Sequence, residues 1–213
     1  RVPGLSPRAQ RGLAWMGISL SPVALAVARS LRARRMVRRL PEIARPELLH
    51  LVDALRLKCG IRRTVRVRMF TARQAVYGPA VVGVVRPTIL LPPQIAEQWT
   101  LDDVEPVLLH EFAHIKHWDL LVNWVQVILQ AVYFFHPLVW FANARIRQER
   151  ELVCDDLAVL LLRGQSKRYS RSFVRVIEDA SQEGAAFPLA AVGMTEHRKP
   201  LARRIVRMLG KDY

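Results

Sequence analysis

His110, Glu111 and His114 stand in the order His-Glu-x-x-His within a stretch of helical pattern. On an α-helix, residues four apart lie about 40° apart around the axis, so the two imidazoles leave one face a turn apart and can share one zinc ion. Glu111 is rotated by about 100° from His110, where a carboxylate reaches a water beside the metal but is poorly aimed as a ligand. That is the place of a general base. A catalytic zinc takes three protein ligands and keeps one position for water. Downstream, Arg147, Glu151 and Asp155 form a stripe at spacing four. Glu151 is the expected third ligand rather than Glu149, because Asp155 one turn later can brace the site, whereas Val153 follows Glu149. Without the His pair the same stripe would read as a surface charge row. Asp119 could orient a ligand imidazole through its outer N–H, but a plain polar helix end is the simpler reading. His117 drifts off the ligand face and is expected in solvent, and His136 before Pro137 is expected to turn or cap the chain.

The elements that must position these groups can be read outward from the metal helix. Thr100-Leu101-Asp102-Asp103 carries helix-start chemistry, which predicts a helix beginning at Asp102 or Asp103, tolerating Pro106 near its start, and running to about Trp118. Ahead of it, Pro46, Glu47 and apolar residues through Leu55 predict a helix closed by Gly60. Alternation over 64–69, then apolar runs at 80–85 and 88–91, predict a short antiparallel sheet with its prolines at edges and strand ends. Stretch 78–85 is a candidate edge, on which a peptide substrate could add itself as an extra strand; an internal strand pair is equally open.

After the metal helix, residues 120–142 are apolar but carry a narrow polar stripe of Asn123, Gln126 and Gln130. Such a helix is either membrane-embedded with that stripe toward protein, the preferred reading, or buried in a core. Phe134-Phe135-His136-Pro137 marks a break. A helix is then expected from Asn143 to about Arg163, stopped by Gly164, with two more over 167–180 and 201–209 joined by a link at 184–200.

The chain of 213 residues carries 33 Lys and Arg against 18 Asp and Glu, a formal charge of +15. That balance points to nucleic acid or an anionic membrane. Distribution separates the two: Arg29, Arg32, Arg34, Arg35, Arg38 and Arg39 follow an uncharged run over 12–28, where a cytoplasmic flank belongs. No helix-turn-helix, finger or RNA-binding pattern accompanies the charge, so no specific nucleic-acid partner is expected. Cys59 and Cys154 are far apart and form no thiolate site, which fits a reducing compartment. The first residue is Arg, so the chain reads as a piece of a longer protein. The expected division is a linker, candidate membrane helix (12–28) and basic juxtamembrane segment over 1–40, then a zinc peptidase domain over 41–213.

His110 to Asp119, joined to Phe135-His136-Pro137-Leu138-Val139-Trp140 and to Arg150-Glu151-Leu152-Val153-Cys154-Asp155, resembles the BlaR/MecR-type membrane zinc metallopeptidases. The stretch from Gly78 to Pro92 is similar to that family's segment ahead of its metal helix, and the likeness covers roughly 40–210. It implies a gluzincin-like fold of class α+β, mostly helical, with a short antiparallel sheet and membrane-associated helices. It also implies one Zn2+ held by His110, His114 and Glu151, with Glu111 as base and the peptidase domain on the cytoplasmic face of the membrane. Expected partners are membrane lipid and a protein or peptide substrate, a repressor or the protein itself being the candidates. No Ser-x-x-Lys sensor motif occurs, so a beta-lactam role does not carry over, and His136 stands where that family commonly has Asn. A membrane-associated zinc endopeptidase with a regulatory role is therefore the expected function. The alternative is a membrane receptor or scaffold with a structural or inactive zinc site.

Overall fold

The computed structural model describes residues 6–70 and 78–182 together with Arg204 and Arg207, for residues 14, 19 and 180–182 only their backbone. The expected link at 184–200 and, apart from those two arginines, the expected helix at 201–209 lie outside the described residues. Helices dominate, and one small mixed sheet accompanies them.

Helix α1 runs unbroken over Pro7–Arg38, so the stretch ahead of residue 12 expected as loop is already helical from Pro7. The cause is local: Ser6 caps the first turn, accepting from the Ala9 amide at 3.3 Å, and Pro7 presets the first helical φ. Pro22 leaves the Ile18 carbonyl without its usual donor, and the Ser21 hydroxyl takes that carbonyl at 3.1 Å. Apolar run and arginines thus share one rod.

Helix α2 spans Pro46–Lys58 and buries Leu48, Val52 and Leu55. It ends as expected at Gly60, whose φ of 74° lets its amide reach the Leu57 carbonyl while the Ile61 amide reaches Arg56. Three strands follow: β1 (Arg66–Met69), β2 (Ala80–Val82) and β3 (Thr88–Leu91). Their order is β1-β3-β2, with β2 antiparallel to β3 but β1 parallel to it, so the expected all-antiparallel sheet is corrected to a mixed one. Side-chain alternation is the same for either direction, and only the short β2–β3 link dictates antiparallel pairing. In that link Gly83 has φ 95°, and a Cβ there would lie 2.6 Å from the Arg86 carbonyl oxygen. β3 is central and buried on both faces: Ile89 and Leu91 meet the main core, while Leu90 packs with Val37, Leu40 and Phe70. β2 occupies an edge.

A π-helical turn at Gln94–Gln98 leads into α3 (Leu101–Lys116), capped by Thr100. The helix starts one residue earlier and ends two residues before the expected bounds, which puts Pro106 beyond the first turn. Its missing N–H frees the Asp102 carbonyl, and the Arg168 guanidinium fills the gap with bonds of 3.1 and 2.7 Å. Val104, Leu108, Leu109 and Phe112 are fully buried, making α3 the axis of the core against α2, α5 and α6. Helices α4 (Asp119–Val132), α5 (Pro137–Leu161) and α6 (Ser166–Gln182) complete the described fold. The break before Pro137 is present, but α5 begins there rather than at Asn143, because proline's fixed φ suits a first helical position.

Candidate metal centre

α3 supplies two imidazoles one turn apart, and α5 crosses it to supply a carboxylate. His110 Nε2 and His114 Nε2 lie 3.1 Å apart. Glu151 places one oxygen 3.7 Å from His110 Nε2 and the other 3.9 Å from His114 Nε2. Glu149, the competing acid, points elsewhere and pairs with Arg145 at 2.8 Å. The two outer ring nitrogens are also held. Asp119 lies 2.6 Å from His114 Nδ1, so the aspartate weighed as a plain helix end reaches back to the ring. Trp118 makes this return possible with a left-handed φ of 57°, and Arg63 steadies the corner by stacking 4.0 Å from the Trp118 ring centroid and bonding the Ile115 carbonyl at 2.7 Å.

His110 Nδ1 faces a buried network. Tyr169 of α6 donates to Asp155 at 2.6 Å and lies 2.9 Å from His110 Nδ1, with Asp155 itself 3.2 Å from that nitrogen. The network assigns the ring proton to Nδ1, which turns the Nε2 lone pair toward His114 and Glu151. Arg204 closes the arrangement with two 2.7 Å bonds to Asp155 and a 3.2 Å contact with Glu151. Asp155 therefore sits where a brace was expected. Tyr169 and Arg204 were not anticipated, since nothing in local spacing ties them to the His pair. Cys154 was missed as well: its buried thiol lies 3.3 Å from His114 Nδ1 and 3.5 Å from Asp119. His117 is half-buried, 4.0 Å from that sulfur, rather than in solvent, and His136 is exposed at the start of α5.

Electrostatics follow from burial and pairing. Burial pushes the Glu111 carboxyl above its usual range, against the lowering effect of both imidazoles. Burial opposes the charge on His110, but hydrogen bonds to Asp155 and Glu151 prevail and lift it to about 10. Glu151 is drawn down to about 2: burial works against its ionisation, and His110, His114 and Arg204 outweigh it. Asp155 is depressed further against the same burial cost, by Arg204 first and His110 next. A divalent cation between the ring nitrogens would take the place of the His110 proton.

Beside His114 a shallow groove runs between the end of β2 and the α3–α4 corner, lined by Val81, Gly83, Val84, Trp118 and Leu121. His114 thus lines a groove beside the β2 edge, which no other described strand pairs.

Residues 12–208 match the family model described as BlaR1 peptidase M56. The regulatory protein BlaR1 of Bacillus licheniformis is 34% identical over 131 residues, 62% of this chain and 22% of that protein. The methicillin resistance mecR1 proteins of Staphylococcus aureus and Staphylococcus epidermidis are 30% identical over 98 residues, 46% of this chain and 17% of theirs. The matches thus span about a fifth of the length of these curated relatives.

Proposed function

The chain belongs to the BlaR1 peptidase M56 family, and from that premise we propose that it is the peptidase domain of a membrane-bound, zinc-dependent regulatory endopeptidase of gluzincin type. The observation that carries this reading is the convergence of His110 Nε2, His114 Nε2 and the Glu151 carboxylate on one point, with buried Glu111 on the same helix. Ligand bonds of about 2.0–2.1 Å in a tetrahedron place donor atoms roughly 3.3 Å apart. The two ring nitrogens are 3.1 Å apart, with one Glu151 oxygen 3.7 Å from the first and the other 3.9 Å from the second. One donor atom from each residue lies within 4.8 Å of the others, so movement of the carboxylate toward the ring nitrogens would complete the set. His110, His114 and Glu151 would hold the ion.

Zinc bound there would supply Lewis acidity toward a scissile carbonyl and toward water. The protein's own groups do the rest. Glu111, made more basic by burial, takes a proton from the attacking water and passes it to the leaving amine. Asp119 fixes the His114 ring, while Tyr169 and Asp155 fix His110. The β2 edge and its adjoining groove would hold a substrate backbone as an added strand.

Of the described helices, α1 alone is long and apolar enough to cross a membrane. Its 32 residues measure about 48 Å, and its arginines gather toward one end. The proposal places that end and the peptidase domain on the cytoplasmic side. The proteins it resembles are named for regulation and for methicillin resistance, which favours a repressor, or the full-length protein itself, as substrate. Metal content tests the ligand set. The purified chain should bind about one zinc, and His110→Ala, His114→Ala or Glu151→Ala should each strip it while Glu149→Ala does not. Loss of metal with Glu149→Ala alone would refute the assignment of Glu151.

A further inference from the structure

We propose that the elbow joining α4 to α5 enters one leaflet of an anionic bilayer beside α1, holding the candidate metal centre at headgroup level. The inference builds on the membrane reading of α1. From Leu120 to Ala144 no side chain other than His136 can carry charge near neutrality, and Asp119 and Arg145 bound the stretch. At its turn, Phe135, Leu138, Trp140 and Phe141 are 63%, 66%, 52% and 70% exposed, and Ile128 and Val132 extend the apolar surface up α4. Exposed aromatics of this density suit the apolar side of a membrane interface.

Several polar groups of the elbow are paired within it, although His136 and Tyr133 are exposed and Gln126 Oε1 has no partner among the described residues. Gln126 and Asn143 exchange side-chain bonds with one another's carbonyls at 3.3 Å each, clasping the two legs. The Trp140 indole donates to the Phe134 carbonyl at 2.8 Å, and the His136 amide reaches Tyr133 at 2.9 Å. A break in a helix survives in hydrocarbon only when its freed groups are satisfied internally. A turn bathed in water has no such need.

Lengths decide the depth. Arg145 lies about 12 Å along α5 from Pro137, whereas Asp119 and Glu151 lie roughly 20 Å along their legs. One leaflet offers about 15 Å of hydrocarbon, so a tip near mid-bilayer leaves the Arg145 backbone about 3 Å inside its edge, with Arg147 at the edge, both side chains long enough to reach the phosphates, and the metal site just outside. The spanning candidate α1 packs along α4, which ties both elements to one bilayer.

Nitroxide labels test the arrangement in the full chain, reconstituted in phosphatidylglycerol–phosphatidylcholine vesicles. Cys59 and Cys154 are buried, so label goes to Phe141→Cys, to Leu138→Cys, to Leu25→Cys in α1 and to Leu57→Cys on α2 as an aqueous reference. Collision with oxygen relative to a water-soluble nickel chelate should be several-fold higher at Phe141 and Leu138 than at Leu57, approaching the value at Leu25. A lipid signal at Leu25 with an aqueous one at both elbow positions would overturn the elbow and leave the span standing. Elbow labels shielded from both reagents would overturn it too, in favour of a second copy or another protein covering this face. An aqueous Leu25 would remove the span, and with it an elbow seated beside α1 in the same bilayer.

Discussion

His110 is held from both sides: Nε2 faces His114 and Glu151, and Nδ1 faces Tyr169 and Asp155. The second side depends on Arg204, because an aspartate as buried as Asp155 keeps its charge only with a counter-ion. Removing one partner of such a pair costs about 3–5 kcal/mol. Arg204→Ala should therefore lower the thermal midpoint and weaken zinc binding in chelator competition, with Arg204→Lys recovering part of both. Zinc affinity unchanged in a folded Arg204→Ala protein would show that Asp155 braces His110 without help. The His pair, Glu111, Glu151 and Asp155 were legible because helical periodicity brings them into register. Tyr169 lies 59 residues from His110 and Arg204 lies 49 from Asp155, and packing joins them. Asp119 was visible but undervalued, since its reach depends on the left-handed φ of Trp118, which a bulky residue rarely adopts.

At the scale of elements, sequence pattern found the regions of the six described α-helices and three described strands but not the π-helical turn at Gln94–Gln98, and α1 and α5 begin earlier than expected, each at a proline. Pro22 and Pro106 sit inside helices because Ser21 and Arg168 take the carbonyls they free. Strand direction was the larger miss, since pleat alternation holds no record of which way a partner runs. The joint between α2 and the core makes its own prediction. Burial pushes the Cys59 thiol up to about 11, against the lowering effect of Lys116 and Lys58. The fold thus favours the neutral thiol, and this contribution is complete below the unfolded pKa of about 8.5 and is lost as pH rises toward 11. Between about pH 8 and pH 10.5 the wild-type thermal midpoint should fall further than that of Cys59→Ala, a differential of roughly 2–3 kcal/mol at most. Equal falls in both proteins would mean that the thiol ionises as easily in the fold as outside it.

For the whole molecule, the charge of +15 leaves two sources of attraction to a membrane, and salt separates them. Apolar burial of α1 resists ionic strength, whereas phosphate pairing is screened within about 3 Å at 1 M salt. The chain should stay with membranes in high salt and leave only with detergent, and full release by salt would remove the span. Composition and the early arginine run pointed to a membrane, and α1 has the length and apolar character to cross one. The break before Pro137 was legible too, but not that the two legs fold back and clasp through Gln126 and Asn143, a contact 17 residues apart that packing makes. The central claim is hydrolysis at a zinc centre with Glu111 as base, and Glu111→Ala in the longer membrane protein tests it most directly, with zinc content and cleavage measured on the same preparation. Self-cleavage of that protein, or cleavage of a quenched fluorescent peptide library, should fall by about a hundredfold to ten-thousandfold while zinc stays near one per chain. Undiminished cleavage and signalling in a zinc-loaded Glu111→Ala protein would contradict the account and leave a structural metal site in a membrane receptor.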